Sequence, residues 1–290
     1  MDQVRTLVRG AGLDPERVYE IARLALEEDL AGGIDVTTEA TVPADHESTA
    51  DAVVRADGVV AGLPVAAAVF ELRLRGRGTV VVRGGDGDRV TAGDPALTVS
   101  GPTREVLTAE RCALNLLCHL SGVATLARHW ADAVAPTKAV IRDTRKTTPG
   151  LRDLEKYAVR CGGGSNHRMG LADAALIKDN HIQVTGSVAQ ALAAVRERRP
   201  GIVCEVECDT VEQVRQALDA GAQLVLLDNM TLAQLREAVA LARTRGAQTE
   251  ASGGLTLANA AAVAATGVDY LAVGALTHSA PILDIGLDLR

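Results

Sequence analysis

Residues 201–275 repeat one pattern, a short apolar strand followed by an amphipathic helix, with a period of roughly 22 residues. The strands predicted in this stretch are residues 202–207, 224–228, 249–252 and 270–273. Two more strands, predicted at residues 139–144 and 174–178, bring the series to about six. Strands that alternate with helices of this length form βαβ units, and such strands lie in one parallel sheet. The second part of the chain is therefore predicted to be an α/β domain.

The helices of the repeat carry their own end signals. Two of them are predicted to begin at capping boxes, Thr210 with Gln213 and Thr231 with Gln234. Three glycines follow helical runs, where a left-handed cap is expected: Gly221, Gly246 and Gly267. These signals support the alternation of strands and helices independently of hydrophobicity.

The first hundred residues have a different pattern. A helix predicted at residues 15–28 is followed by short alternating strands at residues 51–55, 79–83 and 96–99, with turn-rich segments between them. This part is predicted to be a smaller α+β domain with an antiparallel sheet. A long helix over residues 104–133 leads into the second domain, and Gly122 is expected to interrupt it.

Net charge and hydropathy exclude several classes of protein. The net charge of −7 argues against nucleic acid or an anionic membrane as a partner. No apolar run approaches the about 20 residues that cross a bilayer, and residues 1–10 lack a signal-peptide pattern. We therefore expect a cytoplasmic protein. Its five cysteines are expected to be reduced thiols, because Cys204 and Cys208 lack the second pair that a tetrahedral metal site needs.

One segment of this acidic chain is strongly basic. Residues 142–168 contain seven basic and three acidic residues. The chain has only four lysines, all between positions 138 and 178: Lys138, Lys146, Lys156 and Lys178. Either a compact ammonium group is needed in this segment, or codon bias and chance have left the lysines there.

Candidate anion-binding residues lie in this basic segment and after the first strands. Arg145 and Lys146 follow one strand, and His167 and Arg168 follow a run of three glycines. Together they offer cations for one or more multiply charged anions, with His167 contributing if it is protonated. Each pair taken alone is also typical of a solvated loop.

Other polar residues close the later strands. Glu207 and Asp228 end two successive strands, where they could form salt bridges or hold ribose hydroxyls and Mg²⁺. Small residues end the last two strands, beside predicted helix N-termini that can bind phosphate: Ser252, Gly253, Gly254, Gly274 and Ala275. Parallel α/β barrels place catalytic groups at the carboxyl ends of their strands. If the parallel strands form such a barrel, we expect these residues to share one rim.

Arg111 lies within the long predicted helix. Leu107, Leu114 and Cys118 follow its helical spacing, which predicts that Arg111 belongs to the apolar stripe. It could be a partner of Glu110, or a guanidinium held in a site or subunit interface to bind a carboxylate.

Taken as a set, these motifs resemble the quinolinate phosphoribosyltransferase family from about residue 15 to the C-terminus. The motifs that carry the resemblance are Glu28-Asp29, Asp35-Val36-Thr37-Thr38, Glu110-Arg111, Leu114-Asn115, Asp143-Thr144-Arg145-Lys146-Thr147, Gly162-Gly163-Gly164, Asn166-His167-Arg168, Lys178-Asp179-Asn180-His181, Glu205-Val206-Glu207, Asp228-Asn229-Met230, Ser252-Gly253-Gly254 and Gly274.

The resemblance implies a fold of class α/β, with an N-terminal α+β open sandwich domain followed by an incomplete, about six-stranded α/β barrel. It places the sandwich at residues 1–114, with residues 281–290 returning to it, and the barrel, which would bind the phosphoribosyl donor, at residues 115–280. It also implies a homodimer or higher homo-oligomer.

The same resemblance implies the ligands and the site. Quinolinate would bind a cationic pocket made of Thr144, Arg145, Lys146, His167, Arg168 and Lys178, with Arg111 donated by the neighbouring subunit. Phosphoribosyl pyrophosphate would bring the cofactor Mg²⁺, with Glu207 and Asp228 near the ribose and the metal, directly or through water. Its 5′-phosphate would bind two turns, Ser252, Gly253 and Gly254 with Val273, Gly274 and Ala275. The catalytic residues would be Lys146, Lys178, Glu207 and Asp228.

Three alternatives remain at this point. The chain could be a relative with another substrate, either the sister family linked to molybdenum transport or nicotinate phosphoribosyltransferase. It could be a barrel aldolase in which Lys146 or Lys178 forms a Schiff base. It could also be a phosphate-binding module without catalysis.

Overall fold

The computed structural model describes residues 2–290, which form two compact units. The first comprises the residues up to Leu126, Thr148–Gly163 and Ser279–Arg290, and the second comprises Ala127–Thr147 and Gly164–His278. The helices are α1 Asp2–Gly10, α2 Pro15–Leu30, α3 Val36–Thr41, α4 Leu63–Leu74, α5 Thr103–Val134, α6 Arg152–Cys161, α7 Asp179–Thr185, α8 Val188–Arg198, α9 Val211–Asp219, α10 Leu232–Thr244, α11 Leu257–Ala264 and α12 Ala275–His278. The strands are β1 Glu47–Val54, β2 Gly58–Val59, β3 Thr79–Val82, β4 Arg89–Val90, β5 Pro95–Pro102, β6 Val140–Arg142, β7 Ala175–Ile177, β8 Cys204–Cys208, β9 Leu224–Asp228, β10 Gln248–Ser252, β11 Tyr270–Ala272 and β12 Ile285–Leu289.

The first unit is built on an antiparallel sheet with strand order β12-β1-β5-β3. The C-terminal strand β12 pairs with β1, so that Val54 lies opposite Ile285. Helix α4 was not predicted, because nearly all of its residues are buried and it shows no polar face from which a helical period could be recognised. The predicted domain boundary after residue 114 falls within α5.

Helix α5 runs without a break from Thr103 to Val134, so the predicted interruption at Gly122 is wrong. Gly122 is needed for packing. A Cβ atom there would overlap the carbonyl oxygen of Pro281 and lie 2.8 Å from the Cα of Ile282. Glycine therefore lets the C-terminal segment pass directly against the helix.

The second unit contains a six-stranded parallel sheet with strand order β6-β11-β10-β9-β8-β7. All six predicted strands are present, and the prediction of an α/β protein with an incomplete barrel is confirmed. Both predicted capping boxes form, at Thr210 and Thr231. Gly221, Gly246 and Gly267 all have positive φ, as their positions after the helices predict.

Two further features of the described residues bear on the predictions. All five cysteines are free, in agreement with the expectation of reduced thiols. Among residues 2–290, no helix combines the length and the apolar character that crossing a membrane requires.

Candidate active site

The carboxyl ends of the parallel strands surround a cavity of about 460 Å³ in the second unit. Its lining residues are Thr144, Arg145, Lys146, His167, Arg168, Leu176, Lys178, Glu207, Leu226, Asp228, Glu250, Ser252 and Ala272. Nine of the fifteen predicted site residues are among them. Gly253, Gly254, Val273, Gly274 and Ala275 follow the lining residues Ser252 or Ala272 by one to three positions, whereas Arg111 does not line this cavity. The parallel register explains why side chains distant in sequence meet here.

Two cations of the cavity are placed by contacts with the turns and strands around it. Lys178 forms an ion pair with Glu207, the penultimate residue of the neighbouring strand β8. The backbone carbonyl of Lys146 accepts a hydrogen bond from the hydroxyl of Thr277 at 2.8 Å. A Cβ atom at Gly274 would lie 2.9 Å from the Cδ of Lys146. Position 274 is therefore small because the lysine stem passes over it.

Arg145 carries a buried polar atom without a partner. Its Nε makes no hydrogen bond with any of the described residues. A guanidinium is always charged and presents its N–H groups in a fixed fork that matches a carboxylate. Leaving such a donor buried and unpaired costs free energy, but the Nε atoms of Arg73, Arg128 and Arg142 share this state, so it does not by itself mark an anion site.

A buried carboxylate holds the segment that carries His167 and Arg168. Asp143 is fully buried and accepts hydrogen bonds from the side-chain amide of Asn166 and from the backbone N–H of His167, the latter at 2.9 Å. The guanidinium of Arg168 donates to the carbonyl of Ala174 at 3.0 Å. Asp143 therefore connects the end of β6 to the loop that follows the three glycines.

Protein groups engage both ring nitrogens of His167. The backbone N–H of Arg168 donates to Nδ1 at 2.8 Å, which requires that Nδ1 be unprotonated. Nε2 lies 2.8 Å from a carboxylate oxygen of Glu205. Burial lowers the pKa of His167, but the hydrogen bond to Glu205 and the charges of Glu250 and Glu205 outweigh it, so the pKa is raised. A second proton on the ring would break the contact with the Arg168 amide.

The sequence analysis missed a buried charged cluster beside this histidine. Glu205 and Glu250 are buried in the middle of strands, and Arg142 donates to Glu250 at 2.9 Å. The guanidinium of Arg142 also lies over the ring of Tyr270, 3.3 Å from its centre. Burial and then the charge of Glu205 raise the pKa of Glu250 to about 7. Glutamates inside strands predicted to be buried were the signal that could have revealed this cluster.

The prediction for Arg111 needs a correction. Its side chain is 65% exposed, so it does not lie on the apolar stripe of α5. Residues on several faces of this helix are buried, and the spacing to Leu107, Leu114 and Cys118 therefore does not identify a single buried face. Its nearest acidic neighbour is Glu110 at 3.8 Å. An exposed guanidinium is available for contact with another molecule.

The open parallel barrel and its cavity define a class of protein, an α/β-barrel protein with cations and carboxylates at the carboxyl rim of its strands. Two sequence models of one family match the chain. The quinolinate phosphoribosyl transferase N-terminal domain matches residues 35–121, and the C-terminal domain matches residues 123–288. The chain therefore belongs to the quinolinate phosphoribosyltransferase family.

Individual relatives agree with this assignment. The nicotinate-nucleotide pyrophosphorylase (carboxylating) of Mycobacterium leprae is 55% identical over 270 residues, which cover 92% of this chain and 95% of that protein. The solved nicotinate-nucleotide pyrophosphorylase of Francisella tularensis superposes with a TM-score of 0.91 at 35% identity, covering 96% of this chain and 98% of that one. NadC from Streptococcus pyogenes gives a TM-score of 0.90 at 38% identity, with 96% and 99% covered.

Proposed function

We propose that this enzyme transfers the phosphoribosyl group of phosphoribosyl pyrophosphate to quinolinate, giving nicotinate mononucleotide, pyrophosphate and CO₂. Besides family membership, one observation carries the proposal. The cavity at the strand ends is lined both by the cations Arg145, Lys146, Arg168 and Lys178 and by the carboxylates Glu207, Asp228 and Glu250. A small diacid placed beside an activated sugar phosphate would satisfy both kinds of group.

The cationic side of the cavity would bind the diacid. Arg145 and Arg168 suit carboxylates because a guanidinium forms paired, charge-assisted hydrogen bonds. Burial and the nearby charge of Arg145 lower the pKa of Arg168, as expected if the two guanidinium groups face one space. Thr144 and Lys146 continue this side, and His167 would contribute mainly by placing Arg168. Binding would hold the pyridine nitrogen at a fixed position for attack.

The acidic side of the cavity would stabilise the sugar in the transition state. As pyrophosphate leaves C1 of the ribose, that carbon acquires positive charge. Carboxylates placed where this charge develops lower the barrier, and Glu207 and Asp228 line the same cavity. Lys178 is already paired with Glu207, so it can limit the mutual repulsion of the acidic groups and also approach the leaving pyrophosphate.

The chemical consequences of attack complete the reaction. Once the pyridine nitrogen has bonded to C1, the ring is cationic and accepts electrons from the breaking bond to the C2 carboxylate. CO₂ leaves, a proton takes its place at C2, and nicotinate mononucleotide remains. The 5′-phosphate of the donor would lie on the turns at residues 252–254 and 273–275, where glycines with little steric bulk leave backbone N–H groups accessible.

The proposal includes Mg²⁺. Mg²⁺ prefers oxygen ligands and keeps several waters, so it is commonly held by one or two carboxylates together with substrate phosphates. Glu207 and Asp228 fit this requirement, either directly or through water. The ion would neutralise charge on the departing pyrophosphate.

The proposal also includes a cytoplasmic homodimer, or a higher homo-oligomer, in which Arg111 of one subunit completes the site of another. The exposure of Arg111 on its own chain supports this role. The five free cysteines are compatible with a reducing compartment.

The deciding experiment measures nicotinate mononucleotide formed from quinolinate, phosphoribosyl pyrophosphate and Mg²⁺, together with CO₂ released from carboxyl-labelled quinolinate. We expect both products in equal amounts. Turnover of nicotinate without CO₂ release, or no turnover of quinolinate, would refute the proposal.

A further inference from the structure

Asn229, which directly follows the cavity-lining residue Asp228, has an unusual backbone conformation. It is one of three non-glycine residues with positive φ among residues 2–290, and its φ is 53°. The other two, Ala31 and Arg75, are C-caps of helices, where this conformation is ordinary. Asn229 instead follows strand β9 and precedes helix α10. Asparagine tolerates the left-handed region better than most residues, but its use at a strand end calls for a local reason.

The side chain of Asn229 contacts Asp228. Its Nδ2 donates a hydrogen bond to Oδ2 of Asp228 at 2.7 Å. This contact leaves the second carboxylate oxygen to face other groups while it limits rotation of the carboxyl group. A charge-assisted hydrogen bond of this kind is stronger than one between neutral groups.

The same residue contacts the turn that follows the next strand. Its backbone N–H donates to the carbonyl of Ser252 at 2.9 Å. A Cβ atom at Gly253 would lie 2.5 Å from the amide carbon of Asn229, so the asparagine amide occupies the space beside this glycine. Asn259 also donates to the carbonyl of Gly254 at 3.1 Å, so two asparagines contact this turn.

We propose that Asn229 is a positioning residue that sets the distance between the Asp228 carboxylate and the phosphate-binding turn at residues 252–254. This inference rests on the proposed function, in which the carboxylate serves the ribose and the turn serves the 5′-phosphate of one donor molecule. The ribose ring and the 5′-phosphate belong to the same sugar. A residue that hydrogen-bonds to the Asp228 carboxylate and packs against the turn therefore fixes where C1 of the ribose lies relative to the pyridine nitrogen. The left-handed backbone is what brings the side chain back over Gly253.

Three variants separate the side chain from the backbone. Asn229→Gly keeps the left-handed backbone accessible and removes the amide, whereas Asn229→Ala removes the amide and adds strain. Both should raise KM for phosphoribosyl pyrophosphate about ten-fold, with KM for quinolinate changed by less than about two-fold. Asn229→Asp loses the donor and puts a second negative charge beside Asp228, so its effect should be at least as large. Arg75→Gly relieves the same backbone conformation in the other unit and should change neither KM.

A double-mutant cycle tests whether Asn229 acts through Asp228. Because Asp228→Asn should be nearly inactive, the cycle is read from equilibrium binding: if Asn229 acts through Asp228, Asp228→Asn combined with Asn229→Gly should bind phosphoribosyl pyrophosphate no more weakly than Asp228→Asn alone. If the losses of affinity for phosphoribosyl pyrophosphate in the two single variants multiply in the double variant, the inference is overturned. Wild-type kinetics in Asn229→Gly, or an equal rise of both KM values, would overturn it as well.

These outcomes are distinct from failure of the proposed function. Wild-type protein that does not convert quinolinate would refute the proposed function itself. An active wild type with an additive cycle would refute only the role of Asn229. Equilibrium binding of phosphoribosyl pyrophosphate to each variant gives the same comparison without turnover, and it should weaken about as much as KM rises.

Discussion

At the scale of single residues, Arg145 is the most direct test of the cationic pocket. Arg145→Ala should raise KM for quinolinate by the equivalent of about 1.5–3 kcal/mol, because one charge-assisted contact to a carboxylate is lost. KM for phosphoribosyl pyrophosphate should change much less. Steady-state kinetics with each substrate varied in turn measures the difference.

Arg168→Ala should behave in the same way, since its guanidinium would bind the same diacid. Arg215→Ala is the matched control, because Arg215 is an exposed arginine on α9 whose acidic partner lies on the same helix. Equal rises in KM for both substrates would contradict the assignment of Arg145 and Arg168 to quinolinate.

Glu250 predicts a pH dependence of stability. Its pKa is raised from 4.5 to about 7, first by burial and second by the charge of Glu205. The folded protein therefore binds more protons than the unfolded chain between these values. The contribution of protonated Glu250 to the free energy of unfolding is fully present below about pH 4.5 and is lost as the pH rises through about 7.

Glu250→Gln should remove most of the fall in stability between about pH 5 and about pH 7, because glutamine does not titrate there. Free energies of unfolding from urea titrations at several pH values measure this. Glu212→Gln, on the exposed face of α9, is the control and should leave the slope unchanged. An undiminished slope in Glu250→Gln would mean that Glu250 is not the titrating group.

At the scale of secondary-structure elements, α5 depends on the absence of a side chain at position 122. Gly122→Ala raises intrinsic helix propensity, yet its methyl group would overlap the carbonyl of Pro281. We expect a net destabilisation of about 1–3 kcal/mol, typical of overpacking. Thermal or urea unfolding measures it.

The control for this prediction is Gly10→Ala at the end of α1. A Cβ atom at position 10 would meet nothing within 4 Å, so this variant should be neutral or slightly stabilising. If Gly122→Ala were also stabilising, the C-terminal segment would have to lie further from α5 than the structure places it.

At the scale of the whole molecule, the proposed donation of Arg111 between subunits can be tested by complementation. Arg111→Ala and Asp228→Asn should each be nearly inactive alone. In a mixed dimer one site would combine an intact Asp228 with Arg111 of the partner, while the other site would lack both. Random co-assembly should therefore restore about a quarter of the wild-type activity.

If Arg111 instead acted within its own subunit, both sites of a mixed dimer would remain defective and no activity would return. Sedimentation analysis of the same samples must show dimers for the result to count. Recovery well above a quarter would indicate that one of the single variants is not truly inactive.

The order of elements was predictable because local signals determine it. Apolar strands, capping boxes and glycines after helices act over a few residues, and the six strands of the barrel were found from them. Helix α4 was missed because nine of its twelve residues are buried, and the exposure of Arg111 was missed because α5 is buried on more than one face. In both cases the surroundings of the helix, not its own sequence, decide which face meets water.

The sequence by itself determined the alternation of strands and helices, the family resemblance and the set of polar residues at the strand ends. A parallel sheet necessarily brings such ends to one edge, so the composition of the cavity followed from the pattern. Only the tertiary structure decided how those residues interact. The ring nitrogens of His167 are engaged by Arg168 and Glu205, and Asn229 connects Asp228 to the turn at Gly253. These contacts join different strands and loops, and no periodicity along one segment encodes distances between segments that are far apart in the chain.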